Sequence, residues 1–80
     1  MGILDFVIER IYQLCRERNI TPNALSYMSG VSQSTVKSIL NKESKNPGIV
    51  TLKKLCDGLG ISLVQFFDTE EYYQLEQEVK

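Results

Sequence analysis

The start of the chain has the hydrophobic periodicity of an amphipathic helix. Leu4, Ile8, Ile11 and Cys15 recur at the spacing of one helix face. Basic residues near Arg18 suit the negative end of a helix dipole, so this first helix is predicted to end at about residues 18–19.

Start and stop signals for two more helices follow closely. Thr21 can cap a helix, and Pro22 suits the first helical position because its missing N–H is not needed there. A second helix is predicted to run from here to about Ser29, where Gly30 can end it in the left-handed conformation. Ser32 then caps a third helix, predicted to end near residues 41–42.

The composition of residues 42–48 is that of a loop. An apolar stripe from Ile49 to Leu59 predicts a fourth helix, which Gly60 ends. Ser62 and Gln65 have the spacing of a capping box and predict a short fifth helix that ends at about residue 68.

The tail, residues 69–80, is predicted to form a sixth helix. Its capping pattern is Asp68 with Glu71, and its apolar stripe is Tyr72, Leu75 and Val79. Since no strand pattern is present, we expect an all-α fold of five bundled helices, with a helix-turn-helix and a C-terminal sixth helix. The expected domains are a helical bundle, residues 1–67, and an acidic helical tail, residues 68–80.

The charge is unevenly distributed along the chain, although the net charge is only −1. Residues 1–67 carry eight basic and five acidic side chains, a balance of +3, whereas residues 68–80 carry one basic and five acidic, a balance of −4. Five lysines and one glutamate fall between Gln33 and Lys54. A local basic patch of this kind is the relevant signal for phosphate binding.

Several classes of protein are disfavoured by the composition. No apolar run is long enough to span a membrane, and no signal peptide is evident, so we expect a cytoplasmic protein with no membrane partner. The chain has two cysteines and no histidine, so we expect no metal, no cofactor and no enzymatic activity. Cys15 and Cys56 fall on apolar helix faces and are interpreted as buried thiols, with a disulfide as the alternative.

The segment from Thr21 to Leu40 carries the functional signal. The turn from Ser29 to Ser32 is too short for antiparallel packing, so the two helices must cross steeply. The second of them can then enter the major groove of DNA while the first contacts the backbone.

This segment resembles the helix-turn-helix of the Cro/Xre-type phage repressor family. The resemblance covers about residues 3–67 and includes Pro47, the helix with Leu52–Cys56 and the closing Gly60–Phe67. It implies a five-helix repressor-like bundle that usually binds double-stranded DNA as a dimer. Residues 1–67 are therefore expected to form a helix-turn-helix DNA-binding domain, whereas the tail lies outside the shared pattern.

The resemblance also implies roles for individual residues. The candidates for base-edge contacts are Gln33, Ser34, Lys37 and Ser38. The candidates for phosphate contacts are Ser32, Thr35, Asn23, Asn41, Lys42, Ser44 and Lys45. Many relatives have a glutamine where this chain has Pro22, and that glutamine contacts phosphate and braces the recognition glutamine. Either the backbone contact is weaker here or Asn23 replaces it.

We therefore expect a sequence-specific regulator of transcription, a repressor rather than an activator, that reads DNA with residues 33–41. One helix reads about four base pairs, which recur about every 256 base pairs by chance, so a homodimer on a pseudo-palindrome is expected. The alternative is a protein-interaction module, such as an antitoxin or an anti-repressor, whose acidic tail binds a partner or shields the basic patch.

Four tail residues are expected either to dock the tail or to form a dimer contact: Tyr72, Tyr73, Leu75 and Val79. Tyr27 is expected to pack at the edge of the second helix, with stacking on DNA as the alternative.

Overall fold

The computed structural model describes residues 1–79 and confirms the all-α fold, with no strand in that range. Its helices are α1 (Ile3–Glu17), α2 (Pro22–Ser29), α3 (Gln33–Leu40), α4 (Ile49–Leu59), α5 (Leu63–Phe67) and α6 (Glu70–Tyr73). Lys80, the last residue of the predicted tail helix, lies outside the described residues.

The helices enclose one hydrophobic core, to which every helix from α1 to α5 contributes. The fully buried side chains of the core are Ile11, Leu25, Ile39, Leu55, Cys56 and Phe66. The apolar stripe predicted for α1 faces this core, because Ile8, Ile11 and Cys15 are all buried there.

The predicted caps fix the boundaries of the middle helices. The Thr21 hydroxyl accepts a hydrogen bond from the backbone N–H of Ala24 at 3.1 Å. Gly30 and Gly60 end α2 and α4 with φ of 67° and 74°, values that favour glycine over residues with a Cβ. Ser62 and Gln65 form the predicted capping box of α5, and both of its hydrogen bonds are present.

Both cysteines are buried and free, as predicted, and no disulfide joins them. Burial raises the pKa of the Cys15 thiol above its ordinary value, and the Arg18 guanidinium only partly opposes this. Burial likewise raises the pKa of the Cys56 thiol, with a further contribution from the neighbouring Asp57 carboxylate. Burial thus favours the neutral form of both thiols.

The tail differs from the predicted helix, because α6 is a single turn capped by Thr69 rather than Asp68. The side-chain oxygen of Thr69 accepts a hydrogen bond from the Tyr72 N–H at 3.3 Å. After α6 the chain turns towards the start of α1, where the Glu76 N–H donates to the Met1 carbonyl at 3.2 Å. The Glu78 carboxylate accepts from the Ile3 N–H at 3.3 Å and so satisfies a helix end that Gly2 cannot cap. These contacts compete with a longer tail helix.

Ile49, the first residue of the apolar stripe that predicts α4, does not contribute to the core. Its side chain is 62% exposed and that of Val50 is 66% exposed, whereas Leu52 is buried. The first turn of α4 therefore leaves two adjacent β-branched residues uncovered within the monomer.

Helices α2 and α4 pack unusually closely at Gly58. A Cβ at this position would lie 2.9 Å from the Ser29 Cβ and 3.0 Å from its Cα. Contacts this short with backbone cannot be relieved by rotating a side chain. Gly58 therefore sets the separation of α2 from α4.

We expect Gly58→Ala to lower the free energy of unfolding by about 1 kcal/mol. Alanine favours a helix interior by about 1 kcal/mol over glycine, but overpacking at a rigid contact costs about 1–3 kcal/mol. Urea unfolding followed by circular dichroism measures the balance. A variant more stable than the parent protein would contradict the close approach of the two helices.

Candidate nucleic-acid interface

The turn between α2 and α3 is anchored in the core. Val31 is buried, and its N–H donates to the Ser26 carbonyl at 3.2 Å. Val36 and Ile39 are also buried and fix the inner face of α3. Helix α3 is thus anchored in the core, and most of its polar side chains face solvent.

Five of the sequence-predicted site residues come together along one groove of about 460 Å³ beside α3. They are Asn23, Gln33, Ser34, Lys37 and Asn41. Asn23 comes from α2 and the others from α3 or its end, so the groove joins both helices of the motif. Amide, hydroxyl and ammonium groups of this kind match the donors and acceptors of base edges and phosphates.

The groove also contains a residue that the sequence analysis did not single out. Tyr12 of α1 lines it and is 40% exposed. Its position off the α1 stripe predicts exposure, but hydrophobic periodicity cannot tell which other helix an exposed side chain approaches.

Tyr27 also has an environment that differs from the expected one. The expectation that it packs at the edge of α2 is wrong, because its side chain is 77% exposed. Its hydroxyl oxygen accepts a hydrogen bond from Gln33 Nε2 at 2.8 Å. This contact links the two helices of the motif on their solvent side.

The N-terminus of α3 has a cluster of exposed hydroxyls. Ser32 Oγ accepts from the Thr35 N–H at 3.2 Å, and it lies 2.8 Å from Thr35 Oγ1 and 3.2 Å from Ser34 Oγ. Helix N-termini favour anions, so this arrangement is compatible with the phosphate contacts predicted for Ser32 and Thr35.

The loop after α3 folds back on the end of that helix. The N–H groups of Glu43 and Ser44 both donate to the Ser38 carbonyl, at 2.8 and 3.0 Å. Ser38 and Ser44 are consequently half-buried, whereas Lys45 is exposed. The loop therefore offers Lys45 more readily than either serine to an approaching phosphate.

Lys42 is not the free cation that its loop position predicts. It adopts a left-handed backbone with φ of 60°, and its Nζ lies 2.5 Å from the Asp5 carboxylate of α1. Within residues 1–79 no carboxylate lies within 4.0 Å of the amino groups of Lys37 or Lys45. Asp5 thus partly neutralises one predicted phosphate contact.

We expect Asp5→Asn to raise the affinity for mixed-sequence duplex DNA by about 1.5- to fivefold. Exposed ion pairs are worth about 0.2–1 kcal/mol, and breaking this one frees Lys42 for phosphate. Binding titrations at low salt measure the change. Glu9→Gln is the matched control, because it removes the same charge from α1 at an exposed residue without a lysine partner in the described chain. Equal gains in both variants would contradict a specific role for Asp5.

The tail candidates divide into two groups. The Tyr72 ring lies 6.0 Å from the Phe6 ring and 5.6 Å from the Phe67 ring, and Leu75 packs against the core. Tyr73 and Val79 are 73% and 85% exposed. The Tyr73 hydroxyl donates to Asp68 at 3.2 Å, and this hydrogen bond raises the pKa of Tyr73. Tyr72 and Leu75 therefore dock the tail on its own bundle.

Residues 1–79 contain no cluster of three potential metal ligands, and none of their helices has the length and hydrophobicity needed to cross a membrane.

The short turn, the buried inner face of α3 and the polar groove together define a helix-turn-helix DNA-binding domain. A family model of the Cro/C1-type HTH DNA-binding domain matches residues 10–71, most of the chain. This chain belongs to that family. The resemblance seen in the sequence is thereby confirmed.

Solved structures agree with this assignment. The prophage Lp1 protein 11 is 38% identical with a TM-score of 0.79, and the match covers 90% of this chain and 96% of that one. The wild-type restriction-modification controller protein C.Esp1396I is 26% identical with a TM-score of 0.77, covering 98% and 99%. A single-residue variant of that controller is 28% identical with a TM-score of 0.74, covering 92% of each chain. No curated protein sequence matches significantly. Family and neighbours together support a DNA-binding transcriptional regulator.

Proposed function

We propose that this protein is a sequence-specific transcriptional repressor that binds double-stranded DNA as a homodimer and inserts α3 into the major groove. The observation that carries the proposal is the groove that brings Asn23, Gln33, Ser34, Lys37 and Asn41 together beside a rigidly held helix. A rigid helix with polar side chains along one exposed face is what base readout requires.

The groove residues have different roles in this proposal. Gln33 and Ser34, in the first turn of α3, contact base edges, and Gln33 pairs with adenine through its amide. Lys37 follows one turn later and contacts either guanine or phosphate. Lys45 and the hydroxyls at the start of α3 contact the phosphate backbone and set the register on the duplex.

A homodimer gives the protein its specificity, because one copy of α3 reads too few base pairs to select a site in a genome. The surface we assign to the second copy is the exposed apolar part of α4 and α5. Ile49, Val50 and Val64 are 62%, 66% and 75% exposed, and all three are β-branched residues that a partner could cover. Tyr72 and Leu75 pack on their own chain and are weaker candidates for this contact.

The regulatory role is inferred from the similar proteins. One similar structure is a restriction-modification controller protein and another is a prophage protein. A small dimer that covers one turn of DNA between its half-sites blocks other proteins from that stretch, which favours repression.

The first test is the salt dependence of binding to mixed genomic duplex DNA. With six to ten phosphate contacts, the affinity should fall by about 10³–10⁵ between 50 and 200 mM salt. Absence of binding at 50 mM salt would overturn the proposal and favour a protein-interaction module.

The second test separates base readout from phosphate binding. Gln33→Ala should remove the preference at one base pair of each half-site, a loss of about 1–3 kcal/mol in discrimination. Lys45→Ala should weaken binding to all sequences about equally and reduce the salt dependence. A uniform loss in both variants would show that Gln33 does not read a base.

A further inference from the structure

The hydrogen bond between Tyr27 and Gln33 is the contact from which we draw a further inference. It joins the end of the Tyr27 side chain on α2 to the first residue of α3, with a distance of 2.8 Å between Gln33 Nε2 and the phenol oxygen. Both side chains are exposed, so the bond contributes little to the core. Because the bond lies on the exposed side of the helix-turn-helix and involves the groove residue Gln33, it points to a role in recognition instead.

The backbone on the tyrosine side of this bond is anchored in the core. Tyr27 follows Leu25 and Ser26, which are 0% and 2% exposed and fix α2 in the bundle. The Ser26 hydroxyl also donates to the Asn23 carbonyl at 2.6 Å. A tyrosine ring has only two side-chain torsions, so its hydroxyl is placed well by a fixed backbone.

Gln33, in contrast, has a long polar side chain at an exposed helix start. A free glutamine loses considerable rotamer entropy when it docks on a base. The bond to Tyr27 restricts the Gln33 side chain before DNA arrives, and restriction of this kind improves binding because less freedom is lost on association.

The donors and acceptors that remain after this bond match an adenine edge. The Gln33 amide has two N–H donors and one acceptor oxygen, and Tyr27 uses one donor. One N–H and Oε1 stay free, which are the groups that pair with adenine N7 and N6 in the major groove. The Tyr27 contact is therefore compatible with simultaneous readout of a base.

We propose that Tyr27 is a positioning residue that orients Gln33 for base readout. The inference rests on the proposed DNA-binding function, and it adds a specificity-determining residue outside the recognition helix. It also accounts for base recognition by a chain that has Pro22 in place of the glutamine, because Tyr27, five residues later on the same helix, makes the bracing contact.

The decisive variant is Tyr27→Phe, which removes the hydroxyl and keeps the ring. The preference is measured as the ratio of affinities for two duplexes. The first is the sequence that the parent protein selects from random DNA. The second is the same sequence altered at the base pair whose preference Gln33→Ala abolishes. We expect Tyr27→Phe to reduce that preference about three- to tenfold, the usual effect of losing one hydrogen bond, and to leave the salt dependence on mixed DNA unchanged. In a Gln33→Ala background, Tyr27→Phe should have no further effect on the preference.

Two results would overturn the proposal. An equal loss of affinity on every duplex would assign Tyr27 to a phosphate contact, through its free hydroxyl proton. Additive effects of the two substitutions on the preference would show that the residues act independently.

A measurement on the free protein tests the positioning without DNA. The side-chain amide of Gln33 should be ordered in NMR relaxation experiments on the parent protein and become mobile in Tyr27→Phe. Tyr73→Phe is the matched control, because Tyr73 is similarly exposed and its hydroxyl contacts Asp68 instead. A Gln33 amide equally mobile in all three proteins would overturn the positioning role. Failure to bind DNA with an ordered Gln33 would instead count against the proposed function.

Discussion

Replacing Phe66 by alanine is expected to lower the free energy of unfolding by about 3–5 kcal/mol, the usual cost of deleting a buried aromatic ring. Phe66 is fully buried, and its ring lies 6.4 Å from the ring of Phe6 and 5.0 Å from that of Phe67. The Arg10 guanidinium carbon lies 6.0 Å from the same ring. Removal of the ring therefore leaves a cavity where α1 meets α5.

This loss should be a large fraction of the total stability, because the free energy of unfolding of a small domain is about 5–15 kcal/mol. Urea unfolding at one fixed protein concentration measures it, since dimer formation would make the stability depend on concentration. Tyr73→Ala is the control, because this aromatic ring is 73% exposed and its loss should change stability by less than about 0.5 kcal/mol. Similar losses in the two variants would contradict the central position of Phe66.

Replacing Val50 by aspartate is expected to abolish the proposed dimer and to lower the affinity for a DNA site with two symmetric half-sites by about 10²–10⁴, the usual gain from linking two binding units. A carboxylate cannot be buried without a partner in the apolar contact proposed for α4. The fold should survive, because Val50 is in the first turn of α4, where a negative charge is favourable to the helix dipole.

Sedimentation of the variant and titration of the operator measure these two effects separately. Lys54→Gln is the control, since it changes the charge of the same helix by the same amount at an exposed residue. That control should remain dimeric and lose only the few-fold affinity expected of one charge. A Val50→Asp protein that stays dimeric would move the interface elsewhere, with the exposed Tyr73 and Val79 as the next candidates.

The sequence predicts the helix boundaries of the motif well because these boundaries depend on local interactions. Thr21, Gly30 and Ser62 act through hydrogen bonds or backbone angles within a few residues, so their identities alone determine where helices begin and end. The periodic apolar positions of α1 similarly determine which face is buried.

The features that the sequence did not reveal depend on contacts between distant residues. The pairing of Lys42 with Asp5 joins a loop to α1, and the tail beyond α6 hydrogen-bonds to Met1 and Ile3 instead of continuing as a helix. Hydrophobic periodicity contains no information on such pairs. Tyr27 and Gln33 are only six positions apart, but their contact depends on the crossing of two helices.

Pro22 shows how the structure changes the interpretation of a single position. From the sequence, its lack of a polar side chain implied a weaker contact or a substitution by Asn23. Asn23 does line the groove, while the contact to Gln33 is made by Tyr27. The two roles that one glutamine has in many relatives are thus open to two residues here.

Selection of bound sequences from random duplex DNA tests the central claim most directly. Readout by two copies of α3 predicts enrichment of one pseudo-palindrome whose half-sites are centred about one helical turn, roughly 10 base pairs, apart. It also predicts that Gln33→Ala loses one symmetry-related pair of positions from that motif. A pool that remains random after repeated rounds would contradict sequence-specific DNA binding by this protein.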